Sequence, residues 1–183
     1  MNHFYQDIHG WFDFQKIYQW AVANAKEDAH FVEVGAYLGK STSFMAVEII
    51  NSGKKITFDV VDTWLGSLEH QGEQVVREQK LYDEFIKNMH PVWDSFNVVR
   101  LTSSLASRCY RNESLDFVYI DACHDYEDVA LDILSWFPNV KVKGVIAGHD
   151  FGYPSVERAV SEFFDAREVI KVSQFPESWC YIK

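Results

Sequence analysis

The sequence has few cysteines and no long apolar run. Its three cysteines, Cys109, Cys123 and Cys180, are odd in number and form no Cys-x-x-Cys pair, so neither a disulfide framework nor a zinc site is indicated. No apolar stretch approaches the roughly 20 residues that a membrane-spanning helix needs. Residues 1–11 contain no Lys or Arg, unlike a secretory signal. We therefore expect a cytoplasmic protein with free thiols and no membrane partner.

Basic residues are also scarce. The chain has 17 Lys and Arg against 27 Asp and Glu, a formal charge of −10. Proteins that bind nucleic acid normally carry a basic stripe that neutralises phosphates, and none is visible here. We expect a small-molecule ligand and no nucleic-acid partner. The oligomeric state stays open, with a homodimer as one alternative.

Predicted strands and helices alternate along the chain. A length of 183 residues suits a single domain spanning 1–183. Apolar runs predict strands at 31–34, 56–61, 98–101, 117–120, 142–147, 169–172 and 179–182. Helical spacing predicts helices at 14–25, 40–50, 126–137 and 154–166, with Asp13 as the cap of the first. Gly53 is expected to end the second of these helices, and Pro154 to lie in the first turn of the last. Such alternation indicates a mostly parallel sheet with helices on both faces.

The connections distinguish two further segments. Only about six residues separate the last two predicted strands, too few for a parallel crossover, so they should form an antiparallel hairpin. A helical insertion at about 64–95 follows the second strand, with Leu81, Phe85 and Met89 on one face. Two alternatives remain for this insertion: an ordinary helix that packs on the sheet, or a lid over the strand ends.

The stretch EVGAYLGKST, residues 33–42, combines a strand end, a turn and a helix start. Gly35 lets the backbone turn sharply, and Gly39 lets a ligand approach the helix. The first N–H groups of the helix, with Ser41 and Thr42, can bind a carboxylate. The glycine spacing matches neither Gly-x-Gly-x-x-Gly nor a P-loop. A plain strand-to-helix turn is the alternative.

Acidic residues and histidines follow three of the predicted strands. Asp62 ends the second strand, 27 residues after Gly35, where a carboxylate can accept the hydroxyls of an adenosine ribose. Asp121 and His124 follow the fourth strand, and the pair His149-Asp150 follows the fifth. Such clusters are costly to bury without a purpose, so these four are the candidate catalytic residues. Helix capping and ordinary hydrogen bonding are the alternatives.

The stretches FVEVGAYLGKST, VVDTWLGSLEHQG and LDFVYIDACHDYEDVALDILSWF, with GVIAGHDF after them, resemble class I S-adenosylmethionine-dependent methyltransferases. The similarity is greatest to the small bacterial macrocin O-methyltransferase-like branch, and it covers residues 30–183. It implies a Rossmann-like α/β three-layer sandwich. The implied sheet has seven mostly parallel strands in the order 3-2-1-4-5-7-6, the last antiparallel.

The resemblance also implies a role for individual residues. Glu33, Gly35 and Gly39 would shape the methionine pocket, and Asp62 would hold the ribose. Ser103 and Ser104 would lie near the adenine, and Asp121 near the transferring methyl. The same stretches add three residues to the cofactor-binding set: Ala36, Thr63 and Trp64.

Metal dependence stays open on the sequence alone. Related O-methyltransferases hold a divalent metal with the aspartate after strand four and an Asp-Asp pair after strand five, and use a second carboxylate as base. Here Cys123 replaces that carboxylate, and the pair reads His149-Asp150. Asp121 and Asp150 could still bind magnesium. Alternatively, His149 or His124 acts as a general base without metal.

The predicted activity is transfer of the sulfonium methyl of S-adenosylmethionine to a small-molecule acceptor, by O-methylation, with nitrogen as the less favoured acceptor atom. Trp64, His70 and the helix within the insertion are candidates for covering the acceptor. Two alternatives remain. One is a non-catalytic module that binds S-adenosylmethionine, and the other, favoured only by the generic sheet, is an NAD-dependent oxidoreductase.

Overall fold

A computed structural model describes residues 1–164, 175 and 178–183. Within this part of the chain six strands form one sheet: β1 Ala29–Val34, β2 Ile56–Val61, β3 Asn97–Val99, β4 Leu115–Ile120, β5 Val140–Gly148 and β6 Trp179–Ile182. Seven α-helices accompany them: α1 Gln15–Asn24, α2 Lys40–Ser52, α3 Gln74–Arg77, α4 Leu81–Met89, α5 Ser103–Ala106, α6 Tyr126–Trp136 and α7 Pro154–Phe163. None of these helices combines the length and apolar character that crossing a membrane requires.

The strands lie in the order β3-β2-β1-β4-β5-β6. The first five are parallel, and β6 runs antiparallel to β5. From β1 the chain moves outward through β2 and β3 and then returns to β4 on the other side of β1. This reversal opens a crevice at the carboxyl ends of β1 and β4, where α/β sheets bind ligands. The Rossmann-like fold with an antiparallel last strand is confirmed. The strand predicted at 169–172 lies outside the described residues.

Apolar side chains fill a core on each face of the sheet. Successive strand residues point to opposite faces, so Phe31 packs with Ile17 of α1 on one side. Val32 packs on the other side with Trp136 of α6 and Val160 of α7. Because helices cover both faces, the strands are apolar at nearly every position rather than alternately.

Two predicted helix ends are confirmed and one is wrong. Gly53 ends α2 in the left-handed conformation, with φ +67°, and Pro154 is the first residue of α7. Phe14, not Asp13, occupies the N-cap of α1, and no side chain caps this helix. Asp13 instead pairs with His149, 136 residues later in the chain. An ion pair with a distant residue therefore replaces the local cap.

The insertion contains α3 and α4. Leu81, Phe85 and Met89 of α4 are almost completely buried and belong to the core that includes α1 and α2. This packing favours an ordinary structural helix over a mobile cover. The loop before α3 has a different position, because Gly66, Ser67 and His70 line the cavity described below. A lid role for that loop stays a prediction.

Candidate active site

A cavity of about 750 Å³ opens at the carboxyl ends of the central strands, a volume typical of small-molecule sites. Ten of the predicted site residues line it: Gly35, Ala36, Ser41, Asp62, Thr63, Ser103, Asp121, His124, His149 and Asp150. Five others do not: Glu33, Gly39, Thr42, Trp64 and Ser104. The ten come together because parallel strands present their carboxyl ends at the same edge of a sheet.

The glycine turn and Asp62 form one wall of this cavity. Gly35 has φ +93°, and a Cβ there would lie 1.9 Å from the backbone oxygen of Asp121. Asp62 Oδ2 accepts hydrogen bonds from the N–H groups of Ala36 at 2.8 Å and Tyr37 at 3.0 Å. Its Oδ1 accepts a third from the Trp64 N–H at 2.7 Å. Asp62 thus joins the loops after β1 and β2 and presents its carboxylate at the cavity wall.

Glu33 and Thr42 lie beneath the cavity rather than in its wall. Glu33 is only 1% exposed and accepts hydrogen bonds from the Tyr18 hydroxyl at 2.7 Å and from Thr42 Oγ1. Burial raises the pKa of Glu33 to about 7, although hydrogen bonds from Thr42, Ser41 and Tyr18 oppose this shift. Of these residues only Ser41 lines the cavity. Glu33 therefore supports the start of α2 from below.

Gly39 and Trp64 contact α4 and not the cavity. A Cβ on Gly39 would lie 2.8 Å from Met89 Sδ and 3.1 Å from the Phe85 ring, so this glycine makes room for a helix, not for the expected ligand. Trp64 packs against Phe85 with ring centroids 4.7 Å apart, and its Nε1 donates to the Tyr37 carbonyl. Packing with α4 therefore accounts for both residues.

Ser104 also lies outside the cavity, unlike its neighbour Ser103. Its backbone carbonyl accepts a hydrogen bond from Ser107 Oγ at 3.0 Å, within the short helical segment after β3. Ser103 lines the cavity, and its Oγ accepts a hydrogen bond from Trp136 Nε1 at 2.9 Å. Only the first of the two serines is therefore placed to contact a ligand.

The four predicted catalytic residues form one cluster with Asp13. His149 Nε2 lies 2.7 Å from Asp13 Oδ1, and its Nδ1 lies 3.1 Å from Asp150 Oδ2 and 3.5 Å from Asp121 Oδ1. His124 Nε2 lies 2.6 Å from Asp150 Oδ2. The loops after β4 and β5 thus supply four members of the cluster, and the segment before α1 supplies the fifth.

The cluster holds His149 in its charged form. Burial lowers the pKa of His149, but the hydrogen bonds and charges of Asp121 and Asp150 outweigh it and raise the value to about 11. Both ring nitrogens face carboxylate oxygens. An ionised carboxylate accepts hydrogen bonds and donates none, so each ring nitrogen must carry a proton to form one. For Asp150, burial raises the pKa, yet hydrogen bonds from His124 and His149 lower it overall. His149 is therefore a hydrogen-bond donor at neutral pH, which disfavours it as the general base, one of the two histidines considered for that role.

The donor set of this cluster suits magnesium poorly. Asp121, His124 and Asp150 each offer one ligand atom, all within 4.8 Å of one another. Magnesium prefers an all-oxygen shell, whereas this set includes an imidazole whose Nε2 already hydrogen-bonds Asp150. Cys123, which also lines the cavity, offers a sulfur atom, a softer ligand than the oxygen that magnesium prefers.

Several lining residues had no motif to mark them. Trp11 stacks on His70 with centroids 5.9 Å apart, and His70 stacks on Tyr37 at 4.7 Å. His70 was a predicted cover, but Trp11, Asp13 and Tyr37 were not predicted to line the site. The one signal for the N-terminal segment is its aromatic content: Phe4, Tyr5, Trp11, Phe12 and Phe14.

Comparison with known protein families identifies the domain family to which this chain belongs. A family model described as a methyltransferase domain matches residues 32–151, which run from the second half of β1 through β5 and include the loops after β1, β2, β4 and β5. The chain belongs to this methyltransferase-domain family. The match confirms the predicted family and favours it over an NAD-dependent oxidoreductase.

Individual relatives of this methyltransferase-family chain have low sequence identity to it. The Sinorhizobium fredii protein y4gI is 26% identical over 149 residues, which is 81% of this chain but only 16% of that protein's length. The O-methyltransferase NovP superposes with a TM-score of 0.65 at 16% identity, over 92% of this chain and 78% of NovP. Aeropyrum pernix fibrillarin, solved with bound S-adenosyl-L-methionine, superposes with a TM-score of 0.56 at 10% identity, over 86% of this chain and 67% of fibrillarin. Both structures show the shared fold.

Proposed function

We propose that this protein transfers the methyl group of S-adenosylmethionine to an oxygen atom of a small-molecule acceptor. The observation that carries the proposal is one cavity with two different walls. The Gly35 turn and Asp62 form one, and the cluster around Asp121 and His149 forms the other. S-adenosylmethionine supplies an activated methyl group on a cationic sulfonium, so the protein needs mainly to align the acceptor and remove its proton.

The first wall is assigned to the cofactor. A carboxylate has about four lone-pair sites, and Asp62 uses three for backbone N–H groups, so it can still accept from a ribose hydroxyl. Ser41, at the start of α2, faces the cavity where a helix N-terminus favours a carboxylate. Ser103 would contact the adenine. The acidic lining suits a cationic ligand.

The second wall is assigned to proton removal. Asp121 lines the cavity and lies 3.5 Å from His149 Nδ1, so the charged His149 holds it in place. We assign the base to Asp121, since His149 already carries its proton and donates to carboxylates. This assignment needs no magnesium.

Calorimetric titrations test the cofactor assignment. S-adenosylmethionine and S-adenosylhomocysteine should bind with and without magnesium, and NAD should not. Binding of NAD alone would refute the proposal.

The assignment of Asp121 as the base is tested by assays of methyl transfer with labelled S-adenosylmethionine and a panel of hydroxylated acceptors. Asp121→Asn should lower transfer about 100-fold or more and keep cofactor affinity. The matched control is Asp128→Asn on α6, outside the cavity lining, which should behave as wild type. Full activity in Asp121→Asn would contradict the assignment. Cofactor binding without turnover of any acceptor would favour the non-catalytic module.

A further inference from the structure

The N-terminal segment that precedes α1 forms part of the cavity wall. Gly10, Trp11 and Asp13 all line the cavity. Asp13 pairs with His149 at 2.7 Å, while Trp11, two residues earlier, stacks on His70. The N-terminal segment therefore contacts the His149 cluster through Asp13 and His70 through Trp11.

Trp11 leaves a large apolar surface open on this wall. Its side chain is 68% exposed, whereas Trp64 and Trp136 are almost completely buried. The Trp11 and His70 rings are inclined by only 26°, and His70 and Tyr37 by 24°. Single exposed apolar residues are common on protein surfaces, but this one lines a cavity beside polar, titratable groups. That combination is typical of sites that bind the face of a ring.

The charges around the cavity favour a ligand without negative charge. Four lining residues are aspartates: Asp13, Asp62, Asp121 and Asp150. Among the described lining residues, Lys40 is the one Lys or Arg. The four carboxylates outnumber Lys40 even when a protonated His149 is added. A carboxylate or phosphate on the acceptor would thus enter a site of its own sign.

We propose that the acceptor is a hydroxylated ring compound without negative charge, which stacks on Trp11 and directs a hydroxyl group toward Asp121 and His149. This inference rests on the proposed methyl transfer and names its substrate class. An aromatic ring and a sugar ring both offer a flat face and a hydroxyl. The chemistry they share is what Trp11 and the acidic cluster recognise.

Calorimetry on the protein saturated with S-adenosylhomocysteine tests the substrate class. The uncharged probes are catechol and methyl glucoside, and their charged counterparts are dihydroxybenzoate and glucose phosphate. At least one uncharged probe should bind about tenfold or more tighter than its counterpart. The two pairs distinguish an aromatic from a sugar acceptor. Equal or tighter binding of the charged compounds would overturn the inference.

Variants of Trp11 test the stacking contact. Trp11→Ala should weaken the uncharged probe about tenfold, Trp11→Phe should retain most of the affinity, and both should bind S-adenosylhomocysteine as wild type does. Trp93→Ala is the control, because Trp93 is 41% exposed and does not line the cavity. Unchanged probe binding in Trp11→Ala refutes the stacking role, and so does a loss of S-adenosylhomocysteine binding in that variant.

The two proposals fail in different ways. If S-adenosylhomocysteine does not bind wild-type protein, the proposed function is wrong. If it binds and neither ring probe does, only the inference about the acceptor is wrong.

Discussion

Replacement of Gly35 by alanine tests how closely the loops after β1 and β4 approach each other. The new Cβ would lie 1.9 Å from the Asp121 backbone oxygen and 2.7 Å from its carbonyl carbon, at φ +93°. Gly53 provides a matched control, because it has φ +67° and a Cβ added there would meet no neighbouring atom within 4 Å. Both substitutions strain the backbone, but only Gly35→Ala also creates a clash.

The expected cost follows from these two contributions. A left-handed conformation costs a residue with a Cβ about 1–2 kcal/mol, so Gly53→Ala should lose about that much stability. In Gly35→Ala the contact must lengthen from 1.9 Å to about 3.4 Å, and neither partner is a flexible side-chain end. Forced backbone shifts add about 1–3 kcal/mol. The total is about 2–5 kcal/mol, a large part of the stability of an ordinary domain.

Urea unfolding followed by circular dichroism measures both variants, and calorimetry measures their affinity for S-adenosylhomocysteine. Gly35→Ala should unfold at lower urea than Gly53→Ala and lose cofactor binding, because the displaced turn lines the cavity. Gly53→Ala should bind normally. Equal unfolding midpoints together with wild-type binding in Gly35→Ala would refute the reasoning.

Two further predictions concern the core and the pH dependence of stability. Phe85→Ala removes a fully buried ring and should lower the free energy of unfolding in urea by about 3–5 kcal/mol. The control Leu131→Ala, at a side chain that is 49% exposed, should change it by less than about 0.5 kcal/mol. Similar losses in the two variants would refute the packing of α4 on the core. For Asp59, burial raises the pKa, but hydrogen bonds led by that from His30 lower it overall. Because the folded-state pKa is depressed, the ionised carboxylate stabilises the protein above the ordinary value of 3.8, and this contribution is lost as pH falls through the folded-state pKa. Asp59→Asn should therefore be less stable at pH 7, with a difference that narrows in acid, and a difference independent of pH would contradict this account.

Local patterns predicted the fold and the first wall of the cavity. Short apolar strands alternating with helices require a parallel sheet, and such a sheet brings its carboxyl ends to one edge. Asp62 and Asp121 each follow directly on a predicted strand, so their meeting at the cavity follows from strand order. Gly53 and Pro154 mark helix ends through their own backbone preferences. All of these features depend on neighbours in sequence or on the repeat of the sheet.

Contacts between distant parts of the chain account for the rest. The residues around Asp13 in sequence predict a helix cap, but its partner His149 lies 136 residues away. The motif around Gly39 predicts a ligand contact, but in the structure α4 packs against this glycine. The charge on His149 depends on Asp121 and Asp150 and on burial, neither of which has any periodic signature. Burial and the approach of separate segments exist only once the chain has folded, so the N-terminal part of the cavity wall, the Asp13–His149 pair and the charge of His149 could not be predicted from the sequence.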